Sequence, residues 1–151
     1  MYSDEVFYGL NYDHFPACTT VKNQMGYDQM VIERNIQVRS YCEHHFVAID
    51  GLASIGYIPN EKVVGLSKLN RIVDFFSRRP QIQERLTAQV AETLKLVLGT
   101  NDVMVVMSCT HNCVRTRGIM DACSDTITSK IGGHFEKETA RAEFLSLLRS
   151  K

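Results

Sequence analysis

Two short stretches hold the residues best suited to chemistry: Cys42-Glu43-His44-His45 and, far downstream, His111-Asn112-Cys113. Cys42, His45 and Cys113 would offer two thiolates and an imidazole, a set that suits zinc and leaves a fourth position for water. His44 and His111 each sit beside a proposed ligand and are free to move protons. On an extended backbone His44 and His45 point to opposite sides, so only one of them is expected on the metal. A metal that lowers the pKa of its water to about 7, flanked by two imidazoles, outlines a hydrolytic centre. The plain alternative is a pair of reduced core cysteines and some surface histidines, because C-x-x-H is a short pattern.

Basic residues gather around this candidate centre in sequence. Lys68 and Arg71 fall on one face of a predicted helix, and Arg115 and Arg117 follow Cys113. Together with a hydroxyl from Ser67 they could clamp a triphosphate. Taken singly, each reads equally as a solvated charge, and Arg78 and Arg79 are assigned to that role. Gln83-Glu84 opens a second predicted helix, where an acidic side chain is favoured by the helix dipole. A carboxylate there could also accept hydrogen bonds from the N1–H and N2 amino edge of guanine.

The elements that must position these residues follow from periodicity. Gly9, Asn11, Asp13, Pro16 and Gly26 break up an aromatic-rich start, read as a short helix and an irregular packed segment. Met30, Ile32, Ile36 and Val38 share one parity and predict a half-buried strand over 29–41, running into Cys42. A second strand spans 47–57, with Gly51 expected at a bulge or twist point. Leu66, Leu69, Ile72, Val73 and Phe76 predict a helix capped near Ser67. Pro80 is expected in the first turn of another helix that ends at Gly99. Val103, Val105, Met107 and Cys109 predict a third strand that continues towards His111 and Cys113. Residues 124–130 predict a fourth strand, and 135–148 an amphipathic closing helix. This order predicts one α+β domain over 1–151, with a four-stranded antiparallel sheet and helices on one face.

Composition narrows the function classes. Seventeen basic and seventeen acidic residues cancel, so no global field recruits nucleic acid or a membrane surface. No apolar run is long enough to span a bilayer, and MYSDEVFYGL lacks a signal-peptide pattern, which predicts a cytoplasmic protein. Five cysteines, an odd number, fit reduced thiols with some on a metal better than a disulfide framework.

Three long motifs, CEHHFVAIDGLASIGYIP, VVGLSKLNRIVDFFSRRPQIQERLT and HNCVRTRG, resemble those of the GTP cyclohydrolase I family, and the resemblance runs in order from about Tyr2 to Leu148. It implies a tunnelling-fold subunit that assembles into rings, two pentamers stacking into a homodecamer with sites between subunits. It implies hydrolytic opening of the GTP imidazole ring, with C8 leaving as formate and the ribose rearranging to give 7,8-dihydroneopterin triphosphate. The family's Zn2+ ligands fall on Cys42, His45 and Cys113, and its proton-handling histidines on His44 and His111. Guanine recognition falls on Glu84 with Gln83 alongside, and triphosphate binding on Ser67, Lys68, Arg71 and Arg117. Two departures stand out. The family's usual N-terminal helical extension has no counterpart before Met1, and Arg115 occupies a position where lysine is common.

Two rivals stay open at this point. A structural zinc module would need a fourth protein ligand, for which Cys109 is the candidate. On an extended strand Cys109 would lie roughly 13 Å from Cys113. A nitrile reductase of the same fold would use a cysteine nucleophile and has no use for C-E-H-H with a distant H-x-C.

Overall fold

The computed structural model describes residues 1–150. The chain opens with a single π-helical turn over Tyr2–Val6 and a 3-10 turn over Tyr8–Asn11. The regular elements then follow in order. They are β1 (Thr20–Lys22), β2 (Val31–Cys42), β3 (Ala48–Tyr57), β4 (Lys62–Val64), α1 (Leu66–Ser77) and β5 (Pro80–Gln81). After them come α2 (Gln83–Leu98), β6 (Val103–His111), α3 (Asn112–Arg115), β7 (Thr126–Ile131) and α4 (Glu138–Arg149). The architecture is α+β. β2, β3, β6 and β7 form a continuous antiparallel run, and β5 adds a two-residue parallel edge through Tyr41↔Pro80 and Cys42↔Gln81. The main sheet is therefore mixed and five-stranded, and β1 pairs with β4 in a separate ribbon.

The helices occupy both faces of the sheet, where one face was expected. α1 and α2 cover the first, and Leu69, Ile72, Val73, Leu86, Val90 and Leu94 are fully buried there. Each such side chain stabilises the fold by about 1.5–3 kcal/mol relative to exposure. The second face is covered at one end by Phe135 and Phe144, packed over Met104 with Met30, Ile32 and Ile58 around them. Gly56 makes this possible, since a Cβ there would stand 2.6 Å from the Phe144 ring.

A β-bulge explains how one strand serves both faces. Glu33 pairs with Ile55 and Ile36 with Ala53, so β2 carries an extra residue at the point where Asn35 takes a positive φ of 63°. The bulge inverts the facing pattern. Ile36 and Val38 point at α1 and α2, while Met30 and Ile32, of the same parity, lie beneath α4. Of the two roles expected for Gly51, a bulge or a twist point, the bulge is absent. Gly51 is in unbroken register with Val38 and Cys109, and its lack of a side chain is what counts, because a Cβ would meet Ser108 O and stand 2.6 Å from Cys109 Sγ.

Three local expectations also change. The N-cap of α1 is Gly65 and no side chain caps it. Pro80 forms the short parallel strand, and α2 begins at Gln83. β6 ends at His111, and Cys113 lies in the turn of helix that follows.

Candidate metal centre

At one end of the sheet the C-termini of β2 and β6 converge. Beyond Cys42 the chain turns back at once: the amides of His45 and Phe46 both donate to Cys42 O, at 3.3 and 2.8 Å. Phe46 closes the turn with a positive φ of 54°, an uncommon conformation for a bulky residue. The turn removes the opposite-sided arrangement expected of an extended backbone. The Nδ1 atoms of His44 and His45 lie 3.8 and 3.6 Å from Cys42 Sγ.

Cys113 completes the group from α3. The donor atoms of Cys42, His45 and Cys113 lie within 4.8 Å of one another. Tetrahedral zinc, with Zn–S of about 2.3 Å and Zn–N of about 2.0–2.1 Å, requires a sulfur–nitrogen edge of about 3.6 Å, and the Cys42–His45 separation of 3.6 Å has that length. Among the described residues, Cys42, His45 and Cys113 are the only grouping of this kind. Cys109 is not part of it; it is buried against Gly51 with its thiol pushed up to about 12 by burial and the Asp50 charge. Burial raises the Cys113 thiol, the adjacent Cys42 adds to the effect through a hydrogen bond and charge, and Arg117 opposes it. A bound cation would reverse that balance, since coordination requires the thiolate.

His111 ends β6, half-buried, with Nε2 at 2.7 Å from Gln83 Oε1. Burial holds its imidazole below the ordinary value, and the nearby Glu84 carboxylate acts in the opposite direction. Glu84 is exposed in the first turn of α2, whereas the adjacent Gln83 is buried. The Gln83 amide is turned inward, donating to Thr126 O at 2.8 Å and Thr128 Oγ1 at 3.0 Å. Glu43 is paired with Arg85 from α2 and lies beside His44. Nothing in the sequence pattern singles out Arg85 or Thr128, because their relevance depends on which elements pack together.

Cys42, His44, His45, Glu84, His111, Cys113 and Arg117 are thus gathered at one end of the sheet. Ser67, Lys68 and Arg71 are not. They occupy the first turns of α1, whose Asn70 reaches Glu33 near the start of β2 at 2.7 Å. α1 then runs back along β2 until the Phe76 carbonyl accepts from Gln81, the residue paired with Cys42; Arg71 stands five residues, about 8 Å of helix, before that point. Lys68 and Arg71 lie close enough to Cys18 to oppose the upward pull of burial on its thiol.

The fold and site define a class: a small α+β chain with a Cys–His–Cys donor cluster at the sheet end and two imidazoles beside it. The family model described as GTP cyclohydrolase I matches residues 1–149. The chain is 52% identical over 147 residues to the protein named GTP cyclohydrolase 1 of Tolumonas auensis, covering 97% of this chain and 68% of that one. It is 54% identical over 147 residues to the protein of the same name from Shewanella sp. (strain ANA-3), with the same coverage of 97% and 68%. For the Aeromonas hydrophila protein the figures are 53% over 150 residues, 99% of this chain and 69% of that one. The chain belongs to the GTP cyclohydrolase I family.

Proposed function

We propose that this chain hydrolyses GTP at C8 of the purine, releasing formate and giving 7,8-dihydroneopterin triphosphate, the entry to folate, pterin or 7-deazaguanine synthesis. One observation carries the reading: donors from Cys42, His45 and Cys113 converge within 4.8 Å, with the two remaining imidazoles of the motifs at the same place. The two-thiolate, one-imidazole set and its sulfur–nitrogen spacing fit Zn2+. Such an ion, when bound, supplies a water acidified to near neutrality.

The chain's own residues provide the rest. Glu84 accepts from the N1–H and N2 amino edge of guanine and so orients the base. His111 and His44 hold and move protons at the purine nitrogens and at the departing formyl group. Arg117, beside Cys113, helps to neutralise the polyphosphate. Positioning of this kind supplies most of what a site can add beyond the metal itself.

Ser67, Lys68 and Arg71 bind the triphosphate of a neighbouring subunit's GTP. In their own subunit they line the first turns of α1, away from the sheet end where Cys42, His45 and Cys113 converge. On this reading each active site is shared, and the working form is a closed ring, two pentamers stacked as a decamer. The open edge of β7 and the exposed Leu52 and Ile127 on the sheet supply surface for such contacts. No helix among the described residues is long and apolar enough to cross a membrane, and the five free cysteines suit the reducing cytoplasm, where we place the protein.

The direct test measures zinc content together with formate release from GTP. A zinc-loaded chain should release formate in step with GTP consumption. A chelator should abolish release, and added Zn2+ should restore it. GTP turnover that survives complete metal removal would refute the reading.

A further inference from the structure

Gln83 is among the most completely buried polar residues in the protein, 1% exposed. Its amide orientation follows from its neighbours. One end faces two backbone carbonyl oxygens, Met107 O at 3.2 Å and Thr126 O at 2.8 Å. Carbonyls only accept, so this end must be the NH2 group. Thr128 Oγ1, at 3.0 Å, is a third neighbour of the same nitrogen.

The hydroxyls nearby agree with this assignment. Thr87 Oγ1 donates to Gln83 O at 2.8 Å, the carbonyl one helical turn back. Having spent its only hydrogen there, Thr87 must accept across its 2.7 Å contact with Thr128 Oγ1. Thr128 is therefore a donor to Thr87, and its oxygen is left to accept from Gln83. The two amide hydrogens are shared among three acceptors, and no donor opposes them.

The other end of the amide is then Oε1, which only accepts, and it lies 2.7 Å from His111 Nε2. That nitrogen must carry a hydrogen in any charge state of the ring. We propose that Gln83 is a positioning residue that holds His111 in the Nε2–H form, so that His111 exchanges protons with the substrate through Nδ1 alone. This rests on the reading of His111 as a proton carrier, and it replaces a direct contact between the Gln83 amide and guanine. A buried, fully bonded amide has no group left to offer the base.

The arrangement is useful to an acid–base catalyst. A free imidazole exchanges between two neutral tautomers, and only one presents its lone pair to the substrate. Fixing the tautomer and the ring plane keeps the productive form populated throughout.

The test is nitrogen-15 NMR of the zinc-loaded protein labelled at histidine, with His111 assigned by its loss in His111→Asn. In the unsubstituted protein the hydrogen should reside on Nε2, with Nδ1 unprotonated in the neutral ring. Finding it on Nδ1 would overturn the proposal without any variant being made. Gln83→Met keeps the volume and removes the acceptor, and both ring nitrogens should then show averaging between tautomers. Its kcat should fall about 2- to 12-fold, the range for one neutral hydrogen bond of about 0.5–1.5 kcal/mol at tenfold per 1.4 kcal/mol. KM should stay within about twofold, because no contact with the base is lost. Thr128→Val should keep the Nε2–H form, since the two carbonyls still fix the amide. A Gln83→Met protein whose His111 stays wholly Nε2–H would show that the proton is placed by something else. A rise in KM with kcat intact would restore Gln83 as a base contact. Failure of the unsubstituted protein to release formate would strike the proposed activity, and the tautomer measurement would still decide the role of Gln83.

Discussion

The proposed sharing of active sites makes a quantitative prediction. Cys113→Ser should disable the metal half of a site, because a hard hydroxyl replaces a thiolate in a three-ligand set. Arg71→Ala should disable the phosphate half, at a cost of about 1.5–3 kcal/mol for a charge-assisted contact, roughly 10- to 150-fold in kcat/KM. Cys113 lies in α3 and Arg71 in α1, on separate elements, so each variant leaves the other half intact. When both chains are co-expressed in equal amounts, the proposed rings would assemble at random. An intact site needs its metal half from an Arg71→Ala chain and its phosphate half from a Cys113→Ser neighbour. Random placement in a head-to-tail ring satisfies both conditions at about one quarter of the sites. Differently tagged chains, purified sequentially through both tags, should therefore recover about a quarter of the unsubstituted formate-release rate. Activity no greater than the sum of the two parents would show that each site is built within one subunit.

Other outcomes follow from the same geometry. Cys113→Ser should lose zinc measured by atomic absorption, whereas Cys109→Ser should keep it, since the Cys109 sulfur faces the core beside Gly51. His44→Ala and His111→Ala should retain zinc and lose roughly 10²–10⁴-fold in kcat, and His45→Ala should lose the metal. Zinc loss in either of the first two would exchange a ligand for a proton carrier. GTP should be preferred over inosine triphosphate by about 10- to 150-fold in kcat/KM, and Glu84→Ala should largely close that gap. A preference that survived in Glu84→Ala would place guanine recognition elsewhere. Gly56→Ala should destabilise the fold by about 1–3 kcal/mol in urea melts through its clash with Phe144; an unchanged midpoint would mean that α4 moves aside freely.

The candidate ligand set was legible in the chain because thiolate and imidazole chemistry is written in residue types, and C-x-x-H with H-x-C keeps the donors close along the backbone. Helices α1 and α2 were legible for a similar reason: their apolar periodicity reflects one buried face over several turns. Residue order could not reveal which face of the sheet Ile32 serves. One extra residue at Arg34–Asn35 inverts the pleat, and only pairing with β3 exposes it. Nor could it show that Ser67, Lys68 and Arg71 lie in the first turns of α1, away from the Cys42 group, because that depends on the direction in which α1 crosses β2. Gln83 is the clearest case. Beside Glu84 in sequence it reads as a second contact to the base, yet its amide is fixed by Met107, Thr126 and Thr128, which arrive from distant strands. A side chain's type follows from the sequence, but the partners that orient it come from whatever the tertiary fold packs against it.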